Sequence, residues 1–403
     1  MDAPTAWAEA MKFENRPNPY PYFEELRKTP VAKVAEHTYV VTGYPEIIAL
    51  AHDPRISSDI SQSPSGLFGE SAAKLESATH LEPAEAAQTR DSSMLVSDPP
   101  GHDTMRRQFM RHFGPPHSPD LIPSMAGFVT DLANELLDKV KARGGTRMDV
   151  VEDFSYPIPV SVIFRVLGVP LADEPMFHGW VMDFMQGADV GPERDTAEGR
   201  AAAQKAATSM AELDAYVRAM VERLAREPGP GLLSAVLHDD GPDGPVSRDV
   251  AAANALLLMV AGHDSTVNTL TNCVMTLLRN PGSWDLLRDN PDLIPRTVEE
   301  VQRLQGAVQF FPSRWATADI EIGGTRIPAG SAVFLVYAAA NRDPRRFPHP
   351  DRFDPRREDN EHLGFGSGIH TCFGGPLARL EINLALEVFL RRVRSPRLVV
   401  DPP

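Results

Sequence analysis

Cysteine is scarce. Cys273 and Cys372 are the only two in 403 residues, too few for a disulfide framework and in keeping with a reducing compartment. Surplus positive charge is lacking as well. Forty Lys and Arg stand against 55 Asp and Glu, a formal charge of −15, which argues against nucleic acid as a partner and favours solubility. Residues 1–30 mix Pro, Asn and Glu with scattered apolar positions and lack the basic-then-apolar order of a secretion signal. No run reads as long and apolar enough for a membrane span, so a soluble cytoplasmic chain is expected. Internal repeats, low-complexity tracts and a dividing linker are also missing. A single domain over residues 1–403 is therefore expected, although length alone would allow two or three. Present instead is an ordinary apolar content of 42%, enough to bury a large core.

Periodicity predicts a mainly α chain with a small β portion. Pro21–Lys28 and Pro45–His52 read as short helices around a β-type alternation at Val31–Val41. Residues 57–97 carry no firm period and are expected to form a long functional loop with a short helix. Residues 100–304 read as helical, with apolar three- and four-residue steps in Met125–Ala142 and Ala201–Arg226 and breaks at Pro228–Pro230 and Gly241–Pro245. Asp249–Leu278 is a strongly apolar helix of about 45 Å. Ile320–Val336 switches to strands with Gly-Gly and Pro-Ala-Gly turns.

Chemistry gathers in four places. In Phe365-Gly366-Ser367-Gly368-Ile369-His370-Thr371-Cys372-Phe373-Gly374-Gly375, glycines flank one cysteine directly before the apolar segment Pro376–Glu381. Glycine admits positive φ and close approach of backbone to a large object, and a helix N-terminus favours a thiolate. By itself such a cysteine is more often a small buried hydrophobe. Within the apolar helix lies Ala261-Gly262-His263-Asp264-Ser265-Thr266, where an acid and two hydroxyls are costly to bury unless satisfied. Asp98-Pro99-Pro100-Gly101-His102-Asp103-Thr104-Met105-Arg106 opens a helix and sets His102 and Arg106 on one face, suited to an anion. Glu300-Val301-Gln302-Arg303 places opposite charges three apart, ordinarily a solvated pair. Cys273 reads as core packing.

The segment from Phe365 to Gly375 closely resembles the cysteine-ligand loop of the cytochrome P450 family, and all four motifs stand in that family's order. The resemblance implies the cytochrome P450 fold, with haem b between the long central helix and the cysteine-loop helix. Cys372 would be the axial iron ligand, with Phe365, Gly366, Gly374, Ala261 and Gly262 against the cofactor and His102, Arg106, Arg314 and His370 on its propionates. Asp264 with Ser265 and Thr266 would relay protons for oxygen activation, Ser265 standing where the family most often has threonine. Glu300 and Arg303 would brace the haem-side core with a third arginine expected within residues 341–353. Leu257, Val260, Val308 and Phe310 are the substrate-pocket candidates.

The activity implied is insertion of one oxygen atom from O2 into an apolar small molecule, by default hydroxylation and preferably in secondary metabolism. Electrons would come from NAD(P)H through ferredoxin and ferredoxin reductase to a monomeric enzyme. A peroxide-driven haem-thiolate enzyme and a non-catalytic haem sensor or carrier are the alternatives. Arg106, Arg107, Arg111 and His112, with Arg345, Arg346, Arg356 and Arg357, are the candidate patch for an acidic redox partner. The chain stops at Val399-Val400-Asp401-Pro402-Pro403, where relatives usually continue through a last β hairpin, so a trimmed or differently closed pocket is expected.

Overall fold

The computed structural model describes residues 1–59, 92–187, 196–311 and 314–399. Most of the loop expected at 57–97 lies outside the described residues. Three short helices, α1 (Ala3–Met11), α2 (Tyr20–Arg27) and α3 (Tyr44–Ala51), surround the first strands. The helical bulk then runs through α4 (Gly101–Phe113), α5 (Leu121–Ala142), α6 (Pro157–Leu167), α7 (Glu174–Gly187), α8 (Ala197–Arg226), α9 (Leu232–Leu237) and α10 (Arg248–Arg279). After α11 (Ser283–Asp289) and α12 (Ile294–Gln305) come a small β region, the short α13 (Tyr337–Ala340) and the last helix α14 (Gly375–Arg392).

Among the described residues the expected helices and strands are present, with ends that coincide or move by up to four residues. At α10 the Ser247 hydroxyl caps the Val250 N–H at 3.2 Å and Asp249 sits in the first turn, both favourable at a helix N-terminus. α10 corrects one expectation. By length and composition it is apolar enough to cross a membrane. It is nevertheless a core helix: α6, α8, α12 and α14 pack around it, and over half of the apolar stretch is buried inside the protein.

The main sheet runs β1 (Val31–Ala35), β2 (Thr38–Val41), β7 (Ala332–Leu335), β4 (Trp315–Ala316) and β3 (Ile56–Ser57) in spatial order. β1 and β2 form an antiparallel hairpin, whereas β2 pairs in parallel with β7, Thr38 opposite Ala332 and Val41 opposite Leu335. A second hairpin joins β5 (Ile320–Ile322) to β6 (Thr325–Ile327) through Gly323-Gly324, both at positive φ, as its two-residue turn requires. The large apolar cluster belongs to the helices, and two smaller clusters lie against the sheet. Among the described residues no strand follows α14.

Candidate active site

The cysteine loop is held by backbone geometry. Gly366 and Gly368 sit at φ +71° and +73°, and a Cβ on Gly368 would overlap the Ala51 carbonyl of α3, so only glycine fits there. The Cys372 N–H donates to the Phe365 carbonyl at 2.8 Å, and α14 begins three residues later with Pro376 in its first turn. Cys372 forms no disulfide and lies at an accessible edge of the loop. Its sulfur is still crowded enough that burial pushes the thiol up. The Gly374 and Gly375 N–H groups and the Arg106 and Arg379 guanidiniums pull the other way. A metal cation at the sulfur would settle that contest, since a coordinating thiol is deprotonated outright.

Beside the loop, four residues from distant parts of the chain converge. His102, in the first turn of α4, lies with its ring centroid 4.5 Å from that of His370. Burial, then the charges of Arg314, His102 and Arg106, depress His370 to about 3. Burial also lowers Arg106 and Arg314 from the usual guanidinium range. Arg106 donates to the Thr371 carbonyl at 2.6 Å, and His370 Nε2 meets the Ser58 hydroxyl at 2.8 Å. Asp98 accepts from the Ser58 N–H at 2.8 Å and from the Ser57 hydroxyl, which ties the end of β3 to the entry of α4. His102 is 1% exposed; its Nδ1 meets Asp103 at 2.8 Å, yet its Nε2 has no hydrogen-bond partner among the described residues. A buried, unpaired nitrogen amid crowded cations is costly unless an anion completes it. With an accessible thiol alongside, these residues fit a haem, whose carboxylates would take the cations and whose iron would take the sulfur.

The polar turn of α10 divides its two hydroxyls. Leu257, Val260, Ala261, Asp264, Ser265 and Asn268 form a half-exposed to exposed stripe, whereas Thr266 is 4% exposed on the buried side. Ser265 and Thr266 each bond the carbonyl four residues back, at 3.2 Å to Ala261 and 3.4 Å to Gly262, the pattern that loosens a helix. Gly262 does admit a close neighbour, but that neighbour is Ile163 of α6, 3.3 Å from where a Cβ would stand. Val308 is exposed, and Phe310 packs in the N-terminal aromatic cluster, 5.6 Å from Trp7 and 6.1 Å from Phe334. Two partners of the turn were missed in the sequence. The Asn268 amide donates to the Asp264 carbonyl at 2.9 Å, and Thr269 reaches the Ser265 carbonyl at 2.8 Å and Gln302 of α12 at 3.3 Å. Short polar residues spaced four apart were the available signal.

Glu300 and Arg303 are fully buried and bonded twice, at 2.8 and 2.9 Å. The third arginine is Arg357, 3.0 Å from Glu300. It falls outside the expected window of 341–353, where Arg342 instead lies over the Tyr20 ring and bonds the Leu304 carbonyl. The neighbouring Glu299 joins His362 and Arg379 in a network not foreseen from sequence. The expected basic patch is also mostly neutralised. Arg107 pairs with Asp243, Arg111 with Asp239 and Asp243, Arg345 with Glu46 and Asp343, and Arg346 with Asp359 and Glu361.

Known proteins resemble this chain in sequence and in fold. A family profile described as Cytochrome P450 matches residues 288–395. Cytochrome P450 monooxygenase PikC of Streptomyces venezuelae is 35% identical, over 96% of this chain and 86% of its own. The 6-deoxyerythronolide B hydroxylase of Saccharopolyspora erythraea is 34% identical, over 95% and 90%. Among solved structures, that of Mycobacterium smegmatis CYP164A2 without ligand superposes with a TM-score of 0.84 at 31% identity, covering 99% of this chain and 95% of that one. The chain belongs to the cytochrome P450 family. As such it is a monooxygenase, an oxidoreductase that acts on a small molecule with haem iron, dioxygen and electrons from a redox partner.

Proposed function

We propose that this chain is a single-domain, monomeric cytoplasmic enzyme that hydroxylates an apolar small molecule of secondary metabolism. Its haem b would be ligated by Cys372, and its electrons drawn from NAD(P)H through a ferredoxin and ferredoxin reductase. The observation that carries the reading is the convergence of His102, Arg106, Arg314 and His370 beside the Cys372 loop, with a buried imidazole nitrogen that has no partner among the described residues. Relatives named 6-deoxyerythronolide B hydroxylase and mycinamicin IV hydroxylase/epoxidase support hydroxylation of such a metabolite.

Thiolate-bound haem supplies, when bound, the cleavage of dioxygen and the oxidising power to attack a C–H bond. The chain's own residues do the rest. The two arginines and two histidines would hold the haem propionates by hydrogen bonds to the ionised carboxylates. The Ser265 hydroxyl, which donates to the Ala261 carbonyl in the structure, would turn to pass on a proton from the half-exposed stripe, and the Asp264 carboxylate would take the replacement proton from solvent water and relay it. Leu257, Val260 and Ala261 exclude water there and orient an apolar substrate. Thr266, turned to the buried side, bonds the Gly262 carbonyl within the helix.

Optical titration of the ferric holoprotein with apolar metabolites, including carrier-bound acyl chains, tests the reading. A low-to-high-spin shift with one compound class, followed by reductant-dependent hydroxylation of it, is the expected result. Turnover driven only by peroxide would favour the peroxide-driven alternative. Haem binding without turnover by any route would favour the sensor or carrier, and failure to bind haem through Cys372 would overturn the assignment.

A further inference from the structure

Glu299 and Glu300 are adjacent on α12, about 100° apart around the helix, and serve separate networks. Glu300 faces the buried arginines. The Glu299 carboxylate faces the cysteine loop, accepting Arg379 Nε and Nη2 at 2.8 Å each and contacting His362 Nε2 at 3.0 Å. His362 Nδ1 accepts the Gly364 N–H at 3.0 Å, so Nε2 carries the proton that points to Glu299. Arg379 is thereby laid on the Phe365 ring, its Cζ 4.1 Å from the centroid and its Nη1 3.5 Å from where a Gly375 Cβ would be. From there its charge acts on the Cys372 sulfur. Phe365 in turn takes the Cys372 N–H on its carbonyl. Burial pushes the Glu299 carboxyl up, but His362 and Arg379 outweigh it and hold the group at about 2.

We infer that Glu299 is a positioning residue that sets the reduction potential at Cys372, by orienting Arg379 and neutralising most of its charge beside the sulfur. The inference rests on Cys372 being the thiolate ligand. Its sign follows from charge alone. Uptake of one electron makes the site more negative, so an uncompensated Arg379 favours the reduced state and an uncompensated Glu299 opposes it. Glu299→Gln therefore raises the midpoint potential, Arg379→Gln lowers it, and the double variant returns toward the parent. Each single change is expected to alter the reduced-to-oxidised ratio at fixed potential by a few-fold to about tenfold, the scale of one partly screened charge. Glu299→Asp, which keeps the charge, is expected to restore most of the parent value.

The experiment is potentiometric titration of the purified holoproteins, with the optical spectrum recorded first. Opposite shifts of the two single variants support the inference. Shifts in the same direction, or none, in proteins that keep the thiolate spectrum overturn it and leave the ligand assignment standing. A parent protein without that spectrum overturns both. If Glu299→Gln does not retain haem, Arg379→Gln decides alone: a downward shift supports the inference, and any other result overturns it.

Discussion

Replacing Glu300 by glutamine keeps the side chain's size and removes its charge, and the same change at Glu299 provides a matched control one residue away. The Glu300 carboxylate accepts Arg303 Nε and Nη2 at 2.8 and 2.9 Å, Arg357 Nε at 3.0 Å, the Asp354 N–H at 3.0 Å and the Asn360 amide at 3.4 Å. Both Glu300 and Arg303 side chains are at 0% exposure. In Glu300→Gln, Arg303 stays buried with its charge uncompensated, and the new amide N–H points at other donors. Removing one member of such a pair costs about 3–5 kcal/mol. Glu299 and Arg379 are 27% and 41% exposed, so water and salt screen them and their loss costs about 1 kcal/mol or less. Urea unfolding followed by far-UV circular dichroism at matched haem loading measures both, once coincident transitions justify a two-state treatment. A Glu300→Gln cost under about 1 kcal/mol, or equal costs at the two sites, would refute the argument that burial rather than pairing sets the energy.

Three further outcomes are expected. Ser265→Ala lowers product formed per reductant consumed several-fold, whereas Thr266→Val leaves that ratio near the parent's, because only Ser265 lies on the open stripe; product and reductant assays on the same sample decide it. Gly368→Ala meets the Ala51 carbonyl at a positive φ, so it destabilises the cysteine loop by at least about 1–3 kcal/mol and speeds haem loss, readable by haem transfer to an acceptor protein. The Glu299 carboxyl, depressed in the fold from 4.5 to about 2, contributes stability that is present above 4.5 and lost as pH falls toward 2. The stability gap between parent and Glu299→Gln is thus expected to close over that window, and a gap that widens on acidification would contradict it.

The cysteine loop and the long helix could be read from sequence because each is a local pattern, glycines set around one sulfur and unbroken apolar periodicity. The Glu300–Arg303 pair was equally local. Its third member was not: Arg357 sits in a meander without period, so only the folded chain shows which of several arginines turns inward. Gly262 illustrates a second kind of limit. Its missing side chain signals a close neighbour, but nothing local says whether that is a cofactor or Ile163. Charge behaved likewise. Arg107, Arg111, Arg345 and Arg346 look like a basic face until Asp243, Asp239, Glu46 and Asp359, most of them far off in sequence, come alongside. The apolar content of α10 was legible, but its resemblance to a membrane span is resolved only by the helices around it.

The parallel seam between β2 and β7 has a consequence for how the protein is made. Val41 finds its partner in Leu335, so the second strand leaves the ribosome long before its neighbour exists. At roughly 5–20 residues per second, the intervening chain takes roughly 15–60 s to synthesise. Throughout that interval one edge of an apolar hairpin is unpaired, an edge of the kind that invites association with other chains. The helical bulk can consolidate during translation, whereas the sheet that buttresses the cysteine loop through α3 must be completed at the end. Production of active enzyme should therefore be limited by the fate of the nascent N-terminal segment, and slowing synthesis after that segment would lengthen its exposure.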